Sequence, residues 1–367
     1  MLFLLSLALT VRNDSYAIDF GSFYTKSGNL SEDGNPSILF NLQTKRLTPT
    51  FLAFRTPKTY NPSLLLNSEI LSHFQCEIGE DAMNLITKNS WTGTGFFPSL
   101  IGLMNSATNS LIQNLGFPFS ANSTFGLLNM SSAYLHFYSK FVFGTIPQEV
   151  TVVYPSFYSV TQSTILLNLL KSAGFRSPKL ISDIESIASF YVHEKIDLFR
   201  NIPQTILFID VGATSVKSYV MEFSNTPNGI VVTQLSYGFD LSIGGSYATN
   251  SLVKHLIREL KLQNITESDR MKLFQASEKI KQQLSLLQET HQQIPNINGK
   301  DYSVTVTRND FEEMIIDFVV NTTNIALSSR GRIPINQIEL LGGSARIPKI
   351  QESLSKAFQG IKIELIW

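Results

Sequence analysis

Twice in this chain an apolar run ends in aspartate, a spacer, glycine and a hydroxyl. Tyr16–Phe20 closes on Asp19-Phe20-Gly21-Ser22, and Thr205–Ile209 closes on Asp210-Val211-Gly212-Ala213-Thr214-Ser215. A strand that ends this way and turns sharply back exposes successive backbone N–H groups, because glycine accepts positive φ and lets other groups approach the main chain. Those N–H groups can hold phosphate oxygens, and the carboxylate faces the same space. Each turn by itself is also an ordinary hairpin connection. Two copies imply two similar lobes, whose carboxylates Asp19 and Asp210 would serve one Mg²⁺ through the waters that this ion gives up reluctantly.

The surrounding pattern is that of an α/β protein. Val150–Tyr154 and Ile338–Leu341 are further apolar runs of strand type. Thr161–Ala173 places apolar residues at helical spacing and stops at Gly174, while Glu267–Leu287 is a longer amphipathic stretch free of Gly and Pro. Strands alternating with helices over 367 residues exceed what one core usually holds, so two lobes sharing a cleft are expected. The Pro-containing stretch Phe199–Pro203, just before the second copy, is the expected crossing. It puts lobe I at 18–202 and lobe II at 203–367.

Composition removes several classes of function. With 29 basic and 29 acidic residues the formal charge is zero, so no positive field exists to hold a nucleic acid. A hydrophobic fraction of 43% with 16% charged residues is that of a soluble globular protein. Cys76 is the only cysteine, which excludes an internal disulfide and a cysteine-rich metal site. Met1–Leu9 is an apolar run too short to form a stable membrane span. Followed by the small residues Ser15 and Ala17, it reads as a signal peptide over residues 1–17, with a buried strand or an anchor as the alternatives. Sequons at Asn13, Asn29, Asn122, Asn129, Asn264 and Asn321 fit a secretory route, although a chain this rich in Asn, Ser and Thr yields a similar number by chance.

Three more segments have ligand-binding chemistry open to them. Ile338-Glu339-Leu340-Leu341-Gly342-Gly343-Ser344-Ala345-Arg346-Ile347-Pro348 reads as a strand, a glycine pair and a proline at a helix start, where N–H groups face anions. It is equally a tight strand-to-helix connection. Gly238-Phe239-Asp240-Leu241-Ser242-Ile243-Gly244-Gly245 ends in a glycine pair that is either a loop or another phosphate contact. Glu278, Lys281 and Ser285 recur three and four residues apart and share a helix face, so they either meet a ribose and base or form a solvated ion pair.

In this order and at these separations, the elements resemble the nucleotide-binding domain of the seventy-kilodalton heat-shock chaperone family, from Ile18 to about Phe358. Arg46–Phe54, Val150–Tyr158, Glu278–Ser285 and Val306–Glu313 add to the resemblance. It implies an actin-like ATPase fold, α/β, with two lobes each built on a ribonuclease H-like mixed sheet with flanking helices, and ATP or ADP with Mg²⁺ between them. It implies phosphates on Gly21, Ser22, Phe23 and Tyr24, on Gly212, Ala213, Thr214 and Ser215, and beside Gly244 and Gly245. Glu278, Lys281, Ser285 and Arg346 would then lie near the adenosine, Gly342, Gly343 and Ser344 against the nucleotide, and Asp19 and Asp210 would be both metal-linked and catalytic.

Departures from the family pattern fall on the hydrolytic machinery. Pro98 stands where the family has a catalytic lysine. Asp183-Ile184-Glu185-Ser186 replaces an Asn-Glu-Pro-Thr segment, which puts Ile184 at the glutamate and makes Glu185 catalytic only through a one-residue slip. Lys217 replaces an aspartate after the second turn, and Gln282 replaces an arginine that flanks the adenine. These losses, the signal segment and Gly238–Gly245 resemble the large endoplasmic-reticulum branch, the hundred-and-seventy-kilodalton glucose-regulated proteins. Members of that branch act mainly as nucleotide exchange factors and holdases for the lumenal heat-shock chaperone. The resemblance therefore implies a regulatory domain with at most weak ATPase activity, working in the endoplasmic reticulum lumen on that chaperone and on unfolded clients, as a monomer or in a hetero-complex. The family's C-terminal return helix and peptide-binding domain have no counterpart before Trp367. The alternatives are a working ATPase using Asp19, Asp210 and Glu185, and a pseudo-domain that binds nucleotide without turnover.

Overall fold

The runs that close on Asp19 and Asp210 become strands of two different sheets, each buried against its own helices. The computed structural model describes residues 2–4, 16–31, 34–55, 68–71, 75–88, 92–95, 126–199 and 202–366. They fall into two compact units, the first drawn from the described residues between 16 and 186, the second from 2–4 and the described residues from 187 onward. The N-terminal strand β1 (Leu2–Leu4) lies inside the expected signal segment and belongs to the second unit.

In the first unit β2 (Tyr16–Phe20), β3 (Tyr24–Leu30) and β4 (Pro36–Ile38) form an antiparallel meander, with β5 (Thr48–Pro49) beside the start of β3. A small separate sheet holds β6 (Phe51–Arg55), β7 (Gln75–Ile78) and β8 (Thr92–Gly95). Helix α1 (Gly126–Phe143) leads to β9 (Glu149–Tyr154), which is parallel to β2. After helix α2 (Val160–Ala173), β10 (Ser177–Ser182) adds on parallel to β9. Helix α2 starts where Ser159 and Gln162 exchange side-chain-to-backbone hydrogen bonds, and it stops at Gly174, whose φ of 108° suits glycine. Ile18, Phe20, Val150 and Val152 bury one face of this sheet against Tyr134 and Tyr138 of α1, with the Phe20 and Tyr134 rings stacked 5.8 Å apart. The division between the units falls inside helix α3 (Asp183–Lys195), earlier in the chain than the expected crossing at Phe199–Pro203.

The second unit repeats this plan strand for strand. β11 (Gln204–Val211), β12 (Val216–Thr226) and β13 (Gly229–Asp240) are an antiparallel meander. They are followed by helices α4 (Gly245–Glu259) and α5 (Glu267–Leu284), and by a hairpin of β14 (Glu289–Ile297) and β15 (Lys300–Thr307). Then α6 (Ile316–Arg330), β16 (Gln337–Leu341), α7 (Pro348–Ala357) and β17 (Lys362–Leu365) place two parallel strands on the other side of β11. The order β13-β12-β11-β16-β17 matches β4-β3-β2-β9-β10, so the duplication read from the two Asp-x-Gly turns holds for five strands of each sheet, with β1 added outside β13 in the second. This is the mixed α/β fold that an actin-like ATPase has. Ile206, Leu207, Phe208 and Ile209 are all buried, as a central strand covered on both faces requires.

Helix α5 ends at Leu284 and not at Leu287. The Arg308 guanidinium donates to the Leu284 carbonyl at 2.8 Å, and Leu286 and Leu287 beyond it are exposed, so nothing there rewards another turn. Among the described residues no helix is long and apolar enough to cross a membrane.

Candidate functional site

In the second unit, four sequence-distant segments meet at the end of β11. The strand delivers Asp210, and the chain reverses through 212–215 into β12, closed by the Gly212 N–H donating to the Ser215 carbonyl at 2.9 Å. Helix α4 starts against this turn. Its Gly245 N–H donates to the Gly212 carbonyl at 2.9 Å and its Ser246 N–H to the Ala213 carbonyl at 2.8 Å. A side chain at Gly244 would put Cβ 2.6 Å from the Ala213 oxygen and 2.9 Å from the Ser215 nitrogen, so this glycine is needed for the close packing of helix on turn. The Gly244–Gly245 pair thus joins the site, but these two helix-start amides serve the neighbouring loop.

The third segment follows β16. Ser344 Oγ donates to the Gly212 carbonyl at 3.2 Å, which ties the short turn Gly343–Arg346 to the same loop. Gly342 has φ 83° and ψ 151°, a conformation essentially closed to other residues, and a Cβ there would stand 2.6 Å from Asp210 Oδ1. Gly343 next to it is exposed, with open space where its Cβ would be. Arg346 is exposed at the end of this turn.

Helix α5 supplies the fourth. Lys281 Nζ donates to the Gly245 carbonyl at 3.1 Å and to Thr249 Oγ1 at 2.8 Å, and pairs with Glu278 Oε1 at 2.6 Å. Thr249 also hydrogen-bonds Glu278. The expected Glu278–Lys281 pair is therefore no solvated surface bridge. Both side chains are mostly buried, and their charges anchor the start of α4. Ser285 caps α5, its Oγ donating to the Lys281 carbonyl at 3.1 Å. Thr214 and Ser215 are buried within the turn.

The first unit carries the matching hairpin. Gly21 and Ser22 form its turn, held by the Thr50 hydroxyl donating to the Gly21 carbonyl at 2.9 Å and the Thr50 N–H donating to the Phe23 carbonyl at 2.8 Å. Phe23 is buried, its ring edge-on to Tyr24 and Phe51 at 4.7 and 6.0 Å, so its side chain belongs to the core and not to a ligand surface. Glu185, expected to act as a catalytic carboxylate, caps the helix that it opens. Its Oε2 accepts from Ser182 N–H at 2.9 Å and Ser182 Oγ at 2.7 Å, while Ser182 Oγ accepts from the Glu185 N–H at 3.2 Å. This is a reciprocal capping box, and Ser182-x-x-Glu185 is its sequence signature. Asp183, which sequence reasoning did not single out, is buried and accepts from the Ser156 and Ile184 N–H groups at 3.0 and 2.8 Å, tying the chain after β9 to the start of α3. Ile184 is buried, and Pro98 lies outside the described residues.

The carboxylates expected to serve Mg²⁺ are both paired with ammonium groups. Lys217 Nζ lies 2.7 Å from Asp210 Oδ2, the two side chains 11% and 19% exposed, and Lys26 Nζ lies 3.0 Å from Asp19 Oδ2, both 48% exposed. A pair of net charge zero has lost the attraction that draws a hard divalent cation to a carboxylate, and the ammonium repels the cation at short range. The residues around Asp210 therefore do not suit Mg²⁺. Among the described residues, no group of three or more His, Cys, Asp or Glu is placed to hold a metal ion.

One buried charge lies away from these loops. Glu339 sits in the middle of β16, its Oε1 accepting from the Tyr191 hydroxyl at 2.7 Å and from Gln337 Nε2 at 2.6 Å, while its buried Oε2 has no hydrogen-bond partner among the described residues. Desolvation raises its carboxyl above the usual range, opposed by the Tyr191 hydrogen bond. No periodicity marks it, because its partner is on a distant helix. A comparison with known protein families matches residues 137–363, more than half of the chain, to the family described as Hsp70 protein.

Proposed function

The chain belongs to the Hsp70 family, whose domains serve chaperones by binding ATP, and on that premise we propose that this one holds nucleotide to regulate a partner rather than to hydrolyse it. In this reading it is the ATP-binding domain of a divergent endoplasmic-reticulum chaperone. It acts mainly as a nucleotide exchange factor or regulatory co-chaperone for the lumenal Hsp70 chaperone and its unfolded clients. The observation that carries the reading is the contrast between the loops and the catalytic positions. The 212–215 turn, the start of α4 and the Gly342–Ser344 segment are bonded into one frame, with Gly343 left open beside it. By contrast, Asp210 is bound to Lys217, Glu185 is bound to Ser182, and Ile184 offers only hydrocarbon.

In this frame the open side of Gly343 leaves room for a flat, bulky group to approach the main chain, and the Lys217 ammonium, although paired with Asp210, brings N–H donors beside the loop. None of these residues supplies a carboxylate free to orient an attacking water, so slow or absent turnover is expected. Calorimetry with ATP, run beside an assay of labelled ADP release from a lumenal Hsp70 chaperone, tests the proposal. Binding together with faster release and no phosphate production supports it; absence of both binding and faster release sinks it.

A further inference from the structure

The two hairpins share a detail that the Asp-x-Gly pattern does not contain. Asp19 stands directly across from Lys26 in the β2–β3 register, and Asp210 directly across from Lys217 in the β11–β12 register. Residues opposite one another on antiparallel strands have Cβ atoms about 4.5–5.5 Å apart, so each pair follows from the hairpin's register and not from a long side chain swinging over a surface. In both, the lysine comes seven residues after its aspartate.

At the second hairpin the pair is mostly buried, with side chains 11% and 19% exposed, and its ammonium reaches Asp210 at 2.7 Å. A lysine placed this deep has to be neutralised, and Asp210 is the carboxylate that does so. The consequence is chemical as well as structural. An ammonium carries three donors, so one held on Asp210 can also donate to a phosphate oxygen while it occupies the carboxylate that a metal would use. It stands across the strand from the start of the turn whose neighbours include Gly245, Lys281, Gly342 and Ser344.

We propose that this unit takes the phosphates of a nucleotide without a divalent metal, with Lys217 in place of the cation. The inference rests on the nucleotide-binding reading above and deepens it. Lys26, half exposed, has the same place in the first hairpin and adds less.

The test is calorimetry of ATP against the full chain, once with excess MgCl₂ and once with EDTA. Affinities within about threefold of each other are expected for the native chain. Lys217→Met should lower affinity in EDTA by at least about tenfold, and Lys217→Arg should retain metal-free binding. Because Lys217→Met leaves Asp210 buried and unpaired, the neutral double variant Asp210→Asn/Lys217→Met is measured too. It keeps the shape of the pair and should show the same loss with an unchanged melting temperature. Binding by the native chain that needs Mg²⁺ would overturn the inference while leaving nucleotide binding intact. Binding in neither condition removes both the inference and the reading that it rests on.

Discussion

Gly342 and Gly343 are neighbours in sequence but should respond to the same substitution in opposite ways. Gly342 holds φ 83° and ψ 151°, where a side chain costs about 1–3 kcal/mol in backbone strain alone. Its Cβ would also stand 2.6 Å from Asp210 Oδ1 and against the Val211 carbonyl, well inside the roughly 3.5–4 Å of ordinary contact. Val211 is fully buried at the end of β11, so relief has to come from shifting packed elements, at about 1–3 kcal/mol more. The sum for Gly342→Ala is about 2–6 kcal/mol against the 5–15 that a typical domain possesses. At about 2–4 °C per kcal/mol for a unit of this size, a cost near 4 kcal/mol lowers Tm by about 8–16 °C. Gly343→Ala meets no atom within 4 Å and should change stability by no more than about 0.5 kcal/mol. If Gly343 faces the nucleotide, that variant loses ATP affinity at constant Tm. Differential scanning fluorimetry with ATP calorimetry on both variants decides the matter. Equal destabilisation by the two, or a harmless Gly342→Ala, would refute the steric argument.

Two further outcomes follow from the first unit. Glu185→Ala removes half of a capping box and should cost about 1 kcal/mol in thermal unfolding, with any residual ATP turnover unchanged; a large loss of turnover without destabilisation would return Glu185 to a catalytic role. His136 is buried on α1 against the end of α2, its Nδ1 on the Ala173 carbonyl at 2.9 Å and its Nε2 without a partner among the described residues. Burial chiefly, with some repulsion from Lys140, lowers its pKa against the raising effect of the Ala173 bond. The folded state therefore favours the neutral ring. Its contribution to stability is complete above the ordinary histidine value of about 6.5 and declines as pH falls through that value, by at most about 1.4 kcal/mol per pH unit. Denaturant titrations from neutral to mildly acidic pH should show the decline in the native chain and a flatter profile in His136→Gln; parallel profiles would show that another group is responsible.

Much of the architecture was legible because it depends on short-range pattern. Apolar runs and their Asp-x-Gly ends located β2 and β11, Gly174 marked the end of α2, and Pro348 the start of α7. The roles of individual polar groups were less legible, because they depend on partners that spacing does not reveal. Lys217 was visible as a departure from the family, but only the β11–β12 register shows that it neutralises Asp210. Glu278 and Lys281 share a helix face as expected, yet their bonds to Gly245 and Thr249 come from a different helix. Ser182-x-x-Glu185 has the signature of a capping box, but the same residues also stand at the segment that resembles a catalytic one, and spacing does not separate the two roles. Glu339 and Tyr191 meet across most of the second unit's sequence, and no local signal pairs them.

The start of α4 has one more consequence, in the dynamics of the loop. Because the Gly245 and Ser246 amides are held by the carbonyls of Gly212 and Ala213, their protons exchange with solvent only when helix and turn separate. A ligand that used those amides would first have to break both bonds, so its arrival would speed or redirect their exchange. A ligand seated on Gly343 and the lysines alone would slow it. These two amides thus form a native gauge, read by deuterium uptake without labels or substitutions, of whether the loop is a ready-made cradle or a latch that has to be opened.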